Sequence, residues 1–264
     1  MYVQANGSRF FVHTAGAHDA PAVLLIHSLT ADHTAWAPQI PLLAERFHVI
    51  AVDIRGHGQS SATPPPYSMD LLADDMAGIL EKLEITKAHV VGLSIGGMIA
   101  QALALNHPDH VHSLVLAATA SEMNADRAQV WQDRISAVQR DGVEALVDAT
   151  LQRWFTPPTH AEAPDLIARC AAMIRNTSPE GYAGCGAAIR DLNLTSRLNE
   201  IAVPTLVLSA ENDASTPPEL QSLIKEAIPG ARMESFKATA HQISMERPER
   251  FNALMMAFLD SHTG

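Results

Sequence analysis

The sequence has few cysteines, no long apolar run and no recognisable signal peptide. Its 264 residues include two cysteines, Cys170 and Cys185, and neither belongs to a CxxC pair, which disfavours a zinc or thioredoxin-like motif. The first twenty residues contain no basic segment followed by an apolar stretch, so we expect no signal peptide. No run approaches the ~18 apolar residues of a membrane span. These absences favour a cytoplasmic protein with two reduced thiols, although two cysteines could form one disulfide.

Positive charge is also scarce. Lys and Arg total 18 against 29 Asp and Glu, which gives a formal net charge of -11 at pH 7 with neutral histidine. Such a surface disfavours nucleic acids and anionic membranes as partners, but a pocket can still be locally positive. The remaining composition, 47% hydrophobic and 18% charged, is ordinary for a globular protein. We therefore expect a small-molecule partner, no nucleic-acid or membrane partner, and a monomer or a homodimer.

Short apolar runs predict the buried strands of a parallel sheet, over residues 23–26, 49–52, 89–91, 114–116 and 205–208. Runs that are apolar on both faces are typical of such strands. Weaker patterns predict an edge strand over 9–13 and a late strand over 232–236. Helical patterns fall between the strands, over 37–46, 70–83, 95–106, 217–227 and 247–259. This alternation predicts an α/β fold with a mostly parallel sheet flanked by helices.

The middle of the chain breaks this alternation. From about residue 121 to residue 198 no strand-like run occurs, and helical patterns cover 125–140, 142–151, 163–176 and 179–190. Prolines punctuate the segment, and the chain contains no internal repeat or low-complexity tract. We therefore predict a core domain formed by residues 1–120 and 199–264, with an all-helical cap subdomain over 121–198 inserted into it.

Gly92-Leu93-Ser94-Ile95-Gly96 is a G-x-S-x-G pentapeptide placed directly after an apolar strand and before a helix. A tight strand-to-helix turn holds a serine hydroxyl out towards substrate, and glycines leave room where a Cβ would clash. Serine is a weak nucleophile unless a base takes its proton during attack. The pattern therefore predicts Ser94 as the nucleophile of a serine hydrolase, the alternative being a glycine-rich turn without a catalytic role.

The order nucleophile, acid, base along the chain selects the partners of Ser94. The acid should follow a late strand, which favours Asp213; Glu211 is the nearby alternative, and Asp213 could instead only form a turn. The base should follow the acid, and only His241 and His262 do so. His262 is the third residue from the end of the sequence, so we expect it to be frayed and assign the base to His241. The alternative for His241 is an exposed loop histidine.

Two backbone N–H groups are candidates for binding the oxyanion of the transition state. Ile95 starts a helix, so its N–H has no intrahelical partner. The second donor should come from the loop after the first buried strand, and we assign it to the N–H of Leu29. His27 in the same loop is better explained as structural than as catalytic.

Two further patterns indicate binding sites only weakly. The histidines at 107, 110 and 112 lie in a predicted helix-to-strand turn and lack metal-ligand spacing. Residues 53–58 are glycine-rich after a strand, but they lack the G-x-G-x-x-G and the helix start of a dinucleotide site. We therefore expect neither a metal nor an organic cofactor.

The pentapeptide around Ser94, Asp213, His241 and the segment 53–60 together resemble the α/β-hydrolase superfamily across nearly the whole chain. A closer likeness is to the 3-oxoadipate enol-lactonases, and it is carried by His27-Ser28-Leu29, Arg153-Trp154-Phe155-Thr156, Pro179-Glu180-Gly181-Tyr182-Ala183-Gly184-Cys185, Asn212-Asp213 and Thr216-Pro217-Pro218. Thr30 departs from this likeness, because the family often has glycine there. The resemblance implies an α/β-hydrolase fold with a Ser94, Asp213 and His241 triad. It also implies a serine esterase that hydrolyses a five-membered enol-lactone to a dicarboxylic keto acid in aromatic degradation.

The cap would shape the substrate pocket, so the substrate depends on residues outside the motifs. Trp154 and Phe155 are candidates for an apolar pocket wall, or else for core aromatics of the cap. A carboxylate on the lactone would need a cation nearby. The segment offers several, among which the sequence does not select: Arg127, Arg134, Arg153, Arg169, Arg175 and Arg190.

Other functions on the same scaffold stay open at this point. They are a general carboxylesterase, a carbon–carbon bond hydrolase, a cofactor-free haloperoxidase, and a small-ligand sensor that retains a triad. In a lactone the leaving enol stays tethered to the acyl group and can re-attack, so water must reach the acyl-enzyme quickly. We therefore expect the cap to be a partial lid.

Overall fold

Eight strands form a single sheet in the computed structural model, which describes residues 1–262. In chain order they are β1 (Tyr2–Ala5), β2 (Ser8–Ala15), β3 (Ala22–Ile26), β4 (His48–Val52), β5 (Ala88–Leu93), β6 (Val111–Ala117), β7 (Thr205–Ala210) and β8 (Arg232–Phe236). Their order across the sheet is β1-β2-β4-β3-β5-β6-β7-β8. Strand β2 pairs antiparallel with β1 on one side and with β4 on the other, and every other pairing is parallel. The predicted mostly parallel sheet is therefore confirmed.

Helices connect and cover these strands. They are α1 (Ile40–Ala44), α2 (Met69–Lys82), α3 (Ile95–Asn106), α4 (Ala125–Asp141), α5 (Val147–Trp154), α6 (Pro157–Glu162), α7 (Pro164–Arg175), α8 (Pro179–Arg190), α9 (Pro218–Ala227), α10 (Ile243–Glu246) and α11 (Pro248–Asp260). Short 3-10 turns lie at His33–Trp36, Pro108–His110, Val143–Leu146 and Thr195–Glu200. Within residues 1–262, no helix is both long enough and apolar enough to cross a membrane.

The sheet is buried on both faces, as its apolar runs predict. Along β3, Leu24 packs on the side of α2 and α3 together with Ile99. The alternate residue Val23 packs on the opposite side with Phe258 of α11. Burying one such side chain contributes about 1.5–3 kcal/mol. The two helical layers therefore hold the central strands, and the loops at their carboxyl ends, in fixed positions.

Several elements differ from the sequence-based expectation, among them helix α10 (Ile243–Glu246), which was not predicted, and the predicted helix 142–151, which is a 3-10 turn followed by α5. The predicted helix 37–46 is instead a 3-10 turn over His33–Trp36 followed by the short α1, because Pro38 between them cannot donate a helical hydrogen bond. The edge strand β1 was not predicted; it pairs with β2 and buries only alternate residues. Helix α6 was not predicted either, and Pro157 occupies its first turn, where a missing N–H costs nothing.

Helices α4 to α8 lie between β6 and β7, in the segment predicted to form the cap. Backbone bonds close the base of this segment: Met123 N–H donates to Leu192 O (3.0 Å) and Leu194 N–H donates to Ser121 O (2.7 Å). Helices α4 and α8 approach closely, since a Cβ at Gly186 would lie 2.9 Å from Ile135 Cγ1. Within the described part of the chain, this segment adds no strand to the sheet. Its treatment as a separate subdomain stays a prediction.

The loop after β4 is built from buried polar groups that have structural partners. Arg55 donates from Nε to Asp75 Oδ2 (2.8 Å) and from a terminal nitrogen to Oδ1 (2.5 Å). His57 donates from Nδ1 to Arg55 O (3.2 Å), and its buried Nε2 has no partner among the described residues. Burial, reinforced by the neighbouring His27 ring, lowers the pKa of His57 to about 3. His57 is therefore held neutral in the folded protein.

The neutral state of His57 makes the fold sensitive to acid. The pKa is about 3 when folded and 6.5 ordinarily, so between these values the unfolded chain binds more protons. We expect the free energy of unfolding to fall with decreasing pH in this window, and His57→Gln to reduce that slope by up to about 1.4 kcal/mol per pH unit. Urea unfolding between about pH 7 and pH 4.5 measures both slopes. Parallel slopes for the two proteins would contradict the prediction.

Candidate active site

Ser94 occupies the turn between β5 and α3. Its backbone has φ 58° and ψ -119°, in the left-handed region that non-glycine residues rarely adopt. The end of β6 and the residues after it hold this strained conformation, because Ser94 N–H donates to Ala117 O (2.9 Å) and Thr119 Oγ1 donates to Ser94 O (2.7 Å). The turn places Ser94 at the carboxyl edge of the sheet, where loops from other strands can reach it.

The two glycines of the pentapeptide are required by close backbone packing. A Cβ at Gly92 would lie 2.2 Å from Gly96 O, and a Cβ at Gly96 would lie 2.1 Å from Ile26 O. In both cases the obstacle is a backbone oxygen that a rotamer change cannot move. The G-x-S-x-G spacing is therefore a packing requirement of the strand, the turn and the helix.

Asp213 and His241 meet beyond the ends of β7 and β8. His241 Nδ1 lies 2.8 Å from Asp213 Oδ2, and both residues are buried. The carboxylate also accepts from the N–H groups of Ser215 (2.8 Å) and Thr216 (3.0 Å), and from the Thr216 hydroxyl (2.8 Å). Because a carboxylate only accepts, His241 donates from Nδ1, which leaves Nε2 able to take a proton.

The alternatives to Asp213 and His241 lie elsewhere. Glu211 is exposed, and its Oε2 accepts from the N–H of Ala238 (2.9 Å). His262, expected to be frayed, instead packs on Phe258, with its Nδ1 2.7 Å from Phe258 O. Its carbonyl accepts from the ring of His112, at the amino end of β6. That end of the sheet is opposite the edge that carries Ser94.

Of the two predicted oxyanion donors, Ile95 follows Ser94 in the chain and Leu29 lines the same cavity as Ser94. Ile95 is the first residue of α3, so its N–H precedes the intrahelical bonds. Leu29 lines the same cavity as Ser94, and the next residue, Thr30, adopts φ 63°. This positive φ explains the glycine common in related loops, and the Thr30 hydroxyl holds it by donating to Leu29 O (2.6 Å). His27 is buried and accepts from Ile54 N–H (3.1 Å), in line with a structural role.

A cavity of about 330 Å³ connects these groups with the helical segment. From the sheet side it is lined by Leu29, Thr30, Ser94, Met98 and His241, and from the helical side by Trp131, Arg134, Arg153, Trp154 and Tyr182 among others. The predicted wall residue Trp154 lines it and also packs in the core of the helical segment. Phe155 is fully buried in that core and does not line the cavity. Trp131 and Tyr182 were not predicted to line the cavity, because their convergence depends on how α4 packs on α8.

The structure also sorts the arginines of the helical segment. Arg127, Arg134 and Arg153 line the cavity. Arg175 is exposed and pairs with Glu144 (2.9 Å), and Arg190 pairs with Asp191 (2.6 Å). Arg169 is exposed and does not line the cavity.

Sequence reasoning missed a buried carboxylate next to the histidine loop. Glu246 in α10 accepts four hydrogen bonds, from Thr156 N–H (2.8 Å), from the Thr156 and Thr159 hydroxyls (both 2.6 Å) and from Ala240 N–H (2.6 Å). It therefore ties the start of α6 to the residue preceding His241. The available signal was a glutamate five residues after the predicted base, but its threonine partners are about 90 residues away in sequence.

The neighbouring Gln242 strengthens the same connection. Its N–H donates to Trp154 O (3.0 Å), and its side-chain amide donates to Ser28 Oγ (2.7 Å). Ser28 precedes Leu29 in the predicted oxyanion loop. Gln242 and Glu246 therefore join three separate segments around the cavity: the oxyanion loop, the histidine loop and the helical segment.

One group of potential metal ligands occurs in the described residues, although none was predicted. Ligand atoms of Asp32, His33 and Asp53 lie within 4.8 Å of one another. Asp53 already accepts from His33 Nδ1 (2.8 Å), from His33 N–H (2.7 Å) and from Gln59 N–H (2.8 Å). Both of its oxygens are thus used by the protein, and these bonds account for the cluster.

Comparison with known proteins identifies relatives of this arrangement. Residues 21–248 match the family model of the alpha/beta hydrolase fold. 3-oxoadipate enol-lactonase 2 of Acinetobacter baylyi is 31% identical over 246 residues, which cover 93% of this chain and 91% of that protein. A Caulobacter segnis protein provisionally named carbamate hydrolase RutD is 32% identical, with 97% of each chain covered.

A solved structure shows the same architecture. The enol-lactonase from Burkholderia xenovorans LB400 superposes with a TM-score of 0.95 at 33% identity, covering 98% of this chain and 100% of that one. The fold and the likeness to enol-lactonases inferred from the motifs are therefore confirmed.

Glu246 provides a test of the connection between the helical segment and the histidine loop. Glu246→Ala would leave buried donors from Thr156, Thr159 and Ala240 without an acceptor, so we expect the free energy of unfolding to fall by about 3 kcal/mol. Urea unfolding measures the change. Glu249→Ala, which removes an exposed carboxylate three residues away, is the matched control and should stay within about 0.5 kcal/mol of wild type. An equal change in the free energy of unfolding of both variants would contradict a stabilising role for the four hydrogen bonds.

Proposed function

The chain belongs to the α/β-hydrolase family, and on that premise we propose that it is a serine hydrolase that opens an enol-lactone resembling 3-oxoadipate enol-lactone, in the degradation of aromatic compounds. Hydrolase activity follows from the family and its enol-lactonase relatives. The observation that carries the proposed mechanism is the 2.8 Å contact between His241 and Asp213, with His241 and Ser94 lining one cavity.

In the proposed first step, Ser94 Oγ attacks the ester carbonyl of the lactone while His241 Nε2 takes its proton. Asp213 fixes the tautomer of His241 and stabilises the imidazolium that forms. The N–H groups of Ile95 and Leu29 would bind the oxyanion; loss of one such donor typically costs ~10²–10³ in rate. His241 then protonates the leaving enol oxygen, and the ring opens into an acyl-enzyme on Ser94.

In the second step, His241 Nε2 takes a proton from a water molecule whose oxygen attacks the acyl carbonyl; the bond to Ser94 Oγ then breaks, and His241 returns the proton to Oγ. The enol released from a lactone stays attached to the acyl group, so hydrolysis competes with ring re-closure. The strained turn at Ser94 and the polar network of Gln242 and Glu246 would keep the attacking groups in place through both steps. Ser94 thus supplies the nucleophile, and His241 acts in turn as base and acid.

The likeness to enol-lactonases supports a lactone substrate over other acyl compounds. The similarity to the provisionally named carbamate hydrolase favours a second candidate, because a carbamate carbonyl would be attacked in the same way. The substrate panel below also tests four other functions: a general esterase, a carbon–carbon hydrolase, a haloperoxidase and a sensor without turnover.

Both cysteines are free and buried, which supports a reducing compartment such as the cytoplasm as part of the proposal. A monomer or homodimer stays a prediction.

Replacement of the nucleophile tests the mechanism. We expect Ser94→Ala to lose essentially all lactone and p-nitrophenyl acetate hydrolysis, a fall of about 10⁴-fold or more, while the fold is retained. Initial rates and a thermal melt measure the two properties. Asn212→Ala, next to the acid but with an exposed side chain, is a control that should keep most activity. Undiminished hydrolysis by Ser94→Ala would remove the nucleophile assignment.

A substrate panel separates the candidate functions. We expect steady turnover of an enol-lactone with a kcat/KM well above that of p-nitrophenyl acetate, a carbamate or a vinylogous diketone. A preference for the carbamate or the diketone would replace the lactonase proposal. A single burst without further turnover would indicate a sensor.

A further inference from the structure

We propose that Arg134 and Arg153, together with the hydroxyl of Tyr182, bind a carboxylate on the substrate, so that the enzyme selects acidic lactones and esters over neutral ones. The inference rests on the proposed function and deepens it, because it assigns a second recognition point in the cavity that holds Ser94. Three helices of the inserted segment supply these groups: α4, α5 and α8.

All three side chains face the cavity that contains the nucleophile. Arg134, Arg153 and Tyr182 line it together with Ser94 and His241. Arg134 extends over the ring of Trp131, with its guanidinium carbon 5.0 Å from the ring centre. A ligand whose carbonyl lies at Ser94 would therefore have its other end within the part of the cavity formed by the inserted helices.

Within the described residues, neither arginine has a carboxylate partner. Arg153 donates to the Thr150 hydroxyl (3.1 Å), a neutral acceptor, and Arg134 lies over the ring of Trp131. Three other arginines of the segment do pair with carboxylates: Arg140 with Asp141 (2.6 Å), Arg175 with Glu144 (2.9 Å) and Arg190 with Asp191 (2.6 Å). Two unpaired cations beside one cavity stand out in a chain with a net charge of -11.

The two cations also repel each other, which an anion would relieve. Burial lowers the pKa of Arg153, and the charge of Arg134 lowers it further. A half-buried arginine that has lost water and gained a like charge is stabilised by a bound carboxylate, which guanidinium groups bind through strong, charge-assisted hydrogen bonds. Burial and mutual repulsion of the two guanidinium groups cost free energy in the empty site, and a bound carboxylate offsets that cost.

Tyr182 adds a donor of fixed protonation state. It is buried, and burial raises its pKa to about 12. The hydroxyl therefore stays protonated, and it has no hydrogen-bond partner among the residues described. A donor with no acceptor, aimed at the same cavity as two cations, fits an anionic group.

The acidic group that faces the same cavity lies away from the arginine pair. Asp126 is exposed in the first turn of α4, eight residues before Arg134, or about 12 Å along the helix axis. Arg127, beside it, is directed to the backbone, since it donates to Ser215 O (3.2 Å). Within the part of the chain that the structure describes, Asp126 forms no ion pair with Arg134 or Arg153, which leaves both guanidinium groups without a carboxylate.

Two matched substrate pairs test the inference. The first is the five-membered enol-lactone with a carboxymethyl group at ring carbon 5, compared with α-angelica lactone, which carries a methyl group there. The second is the mono-p-nitrophenyl ester of glutaric acid, compared with p-nitrophenyl pentanoate. Within each pair the reacting carbonyl is the same, and the free carboxylate is the main difference.

We expect wild type to prefer the acidic member of each pair in kcat/KM. Arg134→Met and Arg153→Met should each lower kcat/KM for the acidic member by about 10- to 100-fold, the usual effect of removing a charged hydrogen bond. The neutral member should change by less than about 3-fold. Arg153→Lys should recover part of the preference, since it keeps the charge. Arg175→Met, on the same segment but outside the cavity, should behave as wild type.

A ligand experiment on the wild-type protein covers the case in which a variant does not fold. Adipate should inhibit p-nitrophenyl acetate hydrolysis competitively, whereas adipamide, of the same length without charge, should not. Raising salt should weaken inhibition by adipate.

The outcomes separate this inference from the proposed function. If neither lactone is opened but both p-nitrophenyl esters are, the lactonase proposal is wrong and the ester pair still tests the arginines. The inference is overturned if wild type shows no acid preference, if the variants lose acidic and neutral substrates equally, or if adipamide inhibits as well as adipate.

Discussion

The hydrogen bond between His241 Nδ1 and Asp213 Oδ2 is the contact on which the rest of the site depends. It joins loops that leave two neighbouring parallel strands, β7 and β8, and it orients the imidazole over the cavity that Ser94 lines. Parallel strands make this possible, because all their carboxyl ends meet at one edge of the sheet. Leu29, Ser94, Asp213 and His241 follow four different strands, yet the sheet order brings them to that one edge.

The helical segment is joined to this edge by buried polar groups as well as apolar packing. Glu246 accepts from two threonines of the segment and from the backbone beside His241, while Gln242 reaches the oxyanion loop. The position of the histidine loop and that of the pocket wall are thus set by the same bonds. On this account, the segment that selects the substrate also helps to hold the catalytic base.

Much of the fold and the centre of the candidate site could be predicted from local sequence patterns. The buried strands, the bounds of α3 and α8 and the turn at Ser94 could be predicted because each depends on neighbouring residues: apolar runs, capping residues and glycines that avoid a backbone clash. The antiparallel β1 and the proline-initiated α6 were missed, since their signals are short or ambiguous. Arg134 and Arg153 could not be chosen from six candidate arginines, because only the packing of α4, α5 and α8 shows which guanidinium groups reach the cavity. Glu246 was missed for the same reason, as its partners are distant in sequence.

The most direct measurement is mass spectrometry after labelling with a fluorophosphonate, which forms a stable bond with an activated serine. The account predicts one adduct, on the peptide that contains Ser94, in wild type. It predicts a labelling rate lower by about 10²-fold or more in His241→Ala, because the base is then absent. An adduct on another residue, or labelling of His241→Ala at the wild-type rate, would contradict it.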